Sequence, residues 1–169
     1  PKAVMQAAIP TIRQMFTLPV PAPYDLVIAS PGGYPKDINL YQAQKALDNA
    51  AYALRDGGVL VLVAECPEGL GNATFEAWLT GATPAELLAR IEQEFVLGGH
   101  KAAAVAAVLQ RAAVYLVSAL PDELVRRCGM TPFANLDAAV AAALAESGPG
   151  ASLLALPHGG SILPQIRAH

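Results

Sequence analysis

Two short, nearly unbroken apolar runs constrain this chain most: Tyr24-Asp25-Leu26-Val27-Ile28-Ala29-Ser30 and Val59-Leu60-Val61-Leu62-Val63-Ala64. Each has the length of a strand and lacks the polar alternation of a half-exposed one, so each reads as a strand buried on both faces. Between them, Asn39 opens a helical pattern running to about Arg55, with Leu40, Ala43, Leu47, Ala50 and Leu54 on one face. Gly57-Gly58 stands where helix C-termini favour glycine. Strand, helix, strand in that order predicts a parallel pair joined by a right-handed crossover.

The rest of the chain extends this theme. Further strands are expected at Ala113–Ser118, Met130–Ala134 and Ser152–Leu156, the last of them closing the sheet. Helices are expected around Phe75–Leu79, after the Thr83-Pro84 start signal, and at His100–Ala112, Pro121–Arg127 and Leu136–Glu146. The sum is a three-layer α/β/α domain with a mainly parallel, Rossmann-like sheet whose strand order the sequence leaves open. Ahead of it, Val4, Ala8, Ile12 and Met15 fall at helical spacing, and the run Pro19-Val20-Pro21-Ala22-Pro23 then forbids a helix. Residues 1–23 therefore read as a connecting helix and a Pro-rich linker, and residues 24–169 as the main domain. The start at Pro1-Lys2, without an initiating methionine, reads as that of a piece of a longer protein.

Composition narrows the function classes. With 54% hydrophobic and 15% charged residues, 169 residues can bury one substantial core, which excludes a disordered chain. A net charge of −3 gives no general attraction to nucleic acid or to an anionic membrane surface. No apolar run approaches the roughly 20 residues of a membrane-spanning helix, and no signal peptide is visible. Cys66 and Cys128 stand far apart in no paired motif, so a disulfide framework is not indicated and a reducing cytoplasm is the natural setting.

In a parallel sheet, ligands bind outside the carboxyl ends of the strands. Three loops rich in glycine, proline and polar residues leave strands there: Pro31–Ile38, Glu65–Asn72 and Pro157–Ser161. The helix after the first loop begins Asn39-Leu40-Tyr41-Gln42-Ala43-Gln44-Lys45. Tyr41, Gln42 and Lys45 neighbour one another at three and four residues' spacing, off the Leu40–Leu47 core stripe. A helix N-terminus there, with its unpaired N–H groups, favours an anion, and Lys45 and Gln42 would add side-chain hydrogen bonds to a carboxylate. The alternative is structural: Asn39 and Gln42 have the spacing of a capping box, and Lys45 that of a solvated lysine. Gly98-Gly99-His100-Lys101 is a second candidate, set against a plain glycine turn with exposed polar residues. His158 fits a hydrogen-bonded structural histidine as well as a site residue.

Other chemistries fail on spacing. His100, His158 and His169 are not spaced as metal ligands, so a complete metal site is not expected in this chain, although one ligand could be offered to a shared site. There is no dinucleotide fingerprint, phosphate loop or nucleophile elbow, and Gly69-Leu70-Gly71 is too short to count. Glu65 and Glu68 could pair as acid and base, but two loop carboxylates are ordinarily solvated. Trp78 reads as a packing residue.

The run Ser30-Pro31-Gly32-Gly33-Tyr34-Pro35-Lys36-Asp37-Ile38-Asn39-Leu40-Tyr41-Gln42-Ala43-Gln44-Lys45-Ala46-Leu47 resembles the signature of the C-terminal domain of nickel-dependent lactate racemases and related 2-hydroxyacid racemases and epimerases. Ala64-Glu65-Cys66-Pro67-Glu68-Gly69, Gly98-Gly99-His100-Lys101-Ala102, Tyr115-Leu116-Val117-Ser118 and Leu156-Pro157-His158-Gly159 follow in that family's order. The resemblance implies a two-domain enzyme working by reversible hydride transfer to a nickel pincer nucleotide. Its own N-terminal domain would hold that cofactor and supply the catalytic histidines. The C-terminal domain would close over the site, so this fragment alone would carry no catalytic residue and be inactive. Tyr41, Gln42 and Lys45 match positions that line the family's substrate pocket, with His100 and Lys101 as further substrate contacts. Lactate racemases proper tend to carry tryptophan near the position of Lys101, so a 2-hydroxyacid with an additional polar or anionic group is the implied substrate. A non-catalytic module binding a small carboxylate or phosphate, and an interaction domain whose glycine loops serve only as turns, are the rival readings.

Overall fold

The computed structural model describes residues 2–167; Pro1, Ala168 and His169 lie outside the described residues. A first helix, α1 (Lys2–Phe16), leads into β1 (Thr17–Val20). Then follow β2 (Tyr24–Ala29), α2 (Leu40–Ala51), β3 (Leu54–Val63), α3 (Ala73–Gly81), α4 (Pro84–Gln93) and α5 (Gly99–Leu109). The chain continues through β4 (Ala113–Val117), α6 (Asp122–Arg127), β5 (Thr131–Phe133), α7 (Leu136–Ser147), β6 (Leu153–Leu156) and β7 (Leu163–Ile166). Among the described residues no helix is long and apolar enough to cross a membrane.

Five strands form one sheet in the order β5-β4-β3-β2-β6, every neighbouring pair parallel. Alternate residues serve opposite faces. Val27, Ala29, Leu60, Leu62, Val114 and Leu116 join the large core beneath α2 and α5, while Leu26, Val59, Val61 and Tyr115 pack towards Ala139 and Ala143 of α7. Both faces are thus covered, which is why the strands read as unbroken apolar runs. Alanines at 43, 46, 50, 102 and 106 are fully buried and let α2 and α5 approach closely.

Three sequence expectations need correction. The helix α2 stops at Ala51 with Tyr52 as its C-cap, and Leu54 already belongs to β3. Gly57-Gly58 therefore lies inside a strand and terminates no helix. The β2–β3 register jumps from Tyr24↔Leu54 to Leu26↔Val59, so residues 55–58 bulge out. Gly57 has φ +71°, and an added Cβ at Gly58 would come 2.8 Å from the Asp25 carbonyl oxygen, so glycine serves the bulge. The proline-rich stretch is also more than a linker: Thr17–Val20 pairs in parallel with Leu163–Ile166 in a separate two-stranded sheet. Ser152–Leu156 is consequently not the last strand. Pro19 and Pro164 are tolerated because each strand of a two-stranded sheet is an edge.

Asp25 ties the start of the sheet together. Its carboxylate accepts the Ser152 hydroxyl at 2.7 Å, the Ser152 backbone N–H at 2.8 Å and the Arg55 Nε at 2.5 Å. The Ser152 hydrogen bonds, then that from Arg55, hold its pKa down to about 2 from the ordinary 3.8. A depressed carboxylate contributes stability that is present above its unfolded pKa and lost as pH falls through the folded one. Asp25→Asn is therefore expected to lower the denaturant midpoint at neutral pH, with the gap from wild type closing between pH 4 and about 2. A gap that stays constant across that range would show that the carboxylate charge contributes nothing.

Candidate functional site

The expected loops do meet. Since β3, β2 and β6 are adjacent and parallel, Pro31–Ile38, Glu65–Asn72 and Pro157–Ser161 leave one edge of the sheet side by side. The chain passes from β2 to β3, β4 and β5 on one side and returns to β6 on the other, so the strand order reverses beside β2. Hydrogen bonds lock the loops together. Gly159 N–H donates to Ser30 O at 2.8 Å, Cys66 N–H to Asp37 O at 2.9 Å, and Asn49 of α2 donates its side-chain amide to Gly159 O at 2.8 Å. The His158 ring lies against Gly32, where an added Cβ would come 2.7 Å from Nδ1, so His158 packs within the loop cluster.

The start of α2 differs from the sequence reading. Its first N–H groups are already taken: Leu40 N–H donates to Gly69 O at 3.1 Å, Tyr41 N–H to Leu70 O at 3.2 Å, and Gln42 N–H to Asn39 Oδ1 at 3.0 Å. The loop after β3 thus covers this helix terminus, and no backbone anion cradle remains there. Gly69 and Gly71, at φ +68° and +78°, give the loop its shape. The capping alternative is settled as well. At α4 both halves of a capping box form between Thr83 and Glu86. At α2 only the Asn39 half is present among the described residues, so the Gln42 side chain is not spent on its own helix.

What α2 offers instead is a side-chain cluster on its flank. Lys101, near the start of α5, donates from Nζ to Tyr41 O at 2.9 Å, and the same Nζ lies 3.8 Å from the centre of the Tyr41 ring. The Tyr41 ring is held edge-on to buried Phe75 of α3, with centroids 5.6 Å apart. Lys45 stands one helical turn beyond Tyr41 and is exposed; Gln42 is half-buried beside them. Burial pushes the Lys101 ammonium pKa down, and the Lys45 charge pushes it further. Among the described residues the salt bridges are Arg55–Asp25, Arg111–Asp56 and Arg126–Asp122, so neither lysine has a carboxylate partner.

Of the five sequence candidates, the structure brings Tyr41, Lys45 and Lys101 together, with Gln42 on the same flank. His100 is set apart. Its Nδ1 accepts Gly98 N–H at 3.3 Å, and its ring stacks on exposed Phe95 at 5.3 Å. Gly99 is packed against buried Trp78, which confirms the tryptophan as a packing residue. Sequence reasoning missed the buried Gln44, whose Oε1 has no hydrogen-bond partner among the described residues.

Chemically, the cluster is a cationic, hydrogen-bonding surface suited to a small carboxylate. A second cleft, of about 370 Å³, opens between the ends of β2, β3 and β4, but Asp37 and Glu65 line it and disfavour an anion. Burial, with the nearby Asp37 and Glu65 charges, pushes the Cys66 thiol up to about 12. Burial likewise pushes Cys128 up to about 11. Both thiols therefore stay protonated and unreactive near neutral pH. Among the described residues no three His, Cys, Asp or Glu side chains are grouped to hold a metal ion.

Comparison with known proteins gives a consistent result. Residues 20–163 match the model of the lactate racemase C-terminal domain family. A lactate racemase of Thermoanaerobacterium thermosaccharolyticum is 31% identical over 147 residues, covering 83% of this chain and 34% of that protein. The lactate racemase of Lactiplantibacillus plantarum is 30% identical over 141 residues, covering 80% of this chain and 33% of its own. The chain thus spans about a third of the length of these curated relatives. The structure of the T. thermosaccharolyticum lactate racemase apoprotein superposes with a TM-score of 0.87 at 28% identity, over 95% of this chain and 40% of that one. A Thermotoga maritima protein, at TM-score 0.63 and 13% identity, shares the fold.

Proposed function

This chain belongs to the lactate racemase C-terminal domain family, and we propose that it is the substrate-closing domain of a 2-hydroxyacid racemase or epimerase dependent on a nickel pincer nucleotide. The stretch ahead of the main sheet, whose strand Thr17–Val20 pairs with Leu163–Ile166, leads into the domain from an N-terminal domain of the same polypeptide. The observation that carries the reading is the Tyr41–Lys45–Lys101 cluster, whose cations lack carboxylate partners among the described residues.

Among the described residues no three His, Cys, Asp or Glu side chains converge to hold a nickel ion, and burial keeps both thiols protonated. In this reading the N-terminal domain would hold the cofactor, which when bound would supply reversible hydride transfer at the alcohol carbon. This chain binds and orients. Lys45 gives the substrate carboxylate a charge-assisted hydrogen bond, and the Gln42 amide and Tyr41 hydroxyl add neutral ones. Tyr41, braced between Phe75 and Lys101, presents a fixed face to the substrate. Closure of the domain over its partner excludes water, which strengthens each of these contacts. The setting is cytoplasmic, in keeping with two free, buried cysteines.

The test is racemisation of a panel of 2-hydroxyacids by the full-length parent with its cofactor bound. Turnover of at least one acid is expected, and none by the 169-residue chain alone. No turnover of any acid by the verified holoprotein would favour a small-anion binding module over an enzyme.

A further inference from the structure

We infer that the cleft at the ends of β2, β3 and β4 seats a cationic side chain, lysine or arginine, from the N-terminal part of the same polypeptide. The inference rests on the reading that such a domain closes on this sheet edge. The cleft is distinct from the cluster on α2, since none of Tyr41, Gln42, Lys45 and Lys101 lines it. Its walls Val63 and Val117 belong to the face of the sheet under α7, not the face under α2. Its polar side chains carry only oxygen: the Asp37 and Glu65 carboxylates and the Ser30 and Ser118 hydroxyls.

Asp37 is the residue that points to an occupant. It is only 9% exposed, yet it lines the cleft. Among the described residues its carboxylate accepts one hydrogen bond, from Glu65 N–H to Oδ2 at 3.4 Å. That is longer than the usual range of about 2.7–3.2 Å. Asp25, by contrast, takes three donors at 2.5, 2.7 and 2.8 Å. A carboxylate as deep as Asp37 is costly without a cation or several donors. Glu65 brings a second carboxylate to the same cleft, and neither acid forms a salt bridge among the described residues.

The lining also selects the kind of cation. A metal ion is a poor fit, because among the described residues no three His, Cys, Asp or Glu side chains are grouped. A cleft of about 370 Å³ with valine walls suits an alkyl stem that ends in a charge, as in lysine or arginine. No lysine or arginine among the described residues of this chain lines it. The chain spans about a third of the length of its curated relatives, so most of such a polypeptide lies elsewhere. The cleft opens at the carboxyl ends of parallel strands, the edge over which that domain closes in this reading.

The experiment is carboxyl labelling of the full-length parent with a water-soluble carbodiimide and glycinamide, read by peptide mass spectrometry. Glu68 is the internal reference, exposed on the same loop but outside the cleft. Glu65 is also exposed in this chain, so slow labelling in the parent reports an occupant. At low salt Glu65 is expected to label about fivefold or more slowly than Glu68, and the gap should shrink in about 1 M sodium chloride, which screens an ion pair. Asp37→Asn, checked for an unchanged thermal midpoint, should shrink it as well, because the cation then loses one of its two carboxylates. Glu65 labelling at the rate of Glu68 at low salt overturns the inference. Protection that neither salt nor Asp37→Asn relieves shows covering without an ion pair and overturns it too. Protection lost on dialysis into amine-free buffer of the same ionic strength assigns the cleft to a free cation, and also overturns it. Labelling needs no turnover, so a parent inactive on every 2-hydroxyacid but protected at Glu65 would sink the racemase reading and leave this one standing.

Discussion

Replacing Gly71 with alanine is expected to destabilise the protein by roughly 2–4 kcal/mol, although the residue is exposed and lies in a loop. A Cβ at that point would overlap the Asn39 carboxamide, and Gly71 holds φ +78°, where L side chains are strained. The Asn39 side chain is the N-cap of α2, bonded to Gln42 N–H. Displacing it removes about 1 kcal/mol of capping, and the backbone strain adds about as much again. The loop carbonyls of Gly69 and Leu70 would also shift from Leu40 and Tyr41, whose N–H groups they satisfy. Urea denaturation of Gly71→Ala in the wild-type and Asn39→Gly backgrounds checks the cause. Without the Asn39 side chain the clash is gone, and the cost should fall to about 1 kcal/mol of strain. Equal costs in both backgrounds would place the effect somewhere other than the cap.

If the full-length parent has the proposed racemase activity, Lys45→Met should lower its kcat/KM by about 10- to 100-fold, the equivalent of losing one charge-assisted hydrogen bond to substrate. Stability should stay within about 0.5 kcal/mol of wild type, because Lys45 is exposed and makes no ion pair among the described residues. Lys45→Arg, which keeps the charge, should recover part of the activity. Wild-type kinetics in Lys45→Met would leave the family membership intact and remove Lys45 from the substrate site. Loss of activity together with a large fall in stability would point to a folding role instead.

How much of this was legible beforehand follows a physical line. The strands of the main sheet could be read because burial on both faces writes itself locally, as in Val59–Val63. The site edge could be read because parallel strands send all their following loops to one side. The flank of α2 that carries Tyr41, Gln42 and Lys45 could be read from helical spacing. Three features could not be read in this way. Residues 55–58 look like a helix stop because glycine serves a helix end and a bulge equally well, and only the pairing of Leu26 with Val59 decides between them. Thr17–Val20 looks like a linker because its partner, Leu163–Ile166, lies at the far end of the chain.

The start of α2 is the clearest case. Sequence alone determined that this helix begins at Asn39 and that its polar flank faces away from the core, since both follow from neighbours within a few residues. Only the tertiary structure decided what that terminus can bind. Carbonyls from Gly69 and Leu70 occupy its N–H groups, and Lys101 arrives from 60 residues away to cover the Tyr41 ring. Backbone satisfaction and the pairing of charges are set by distance in space, which a local pattern of residues does not carry.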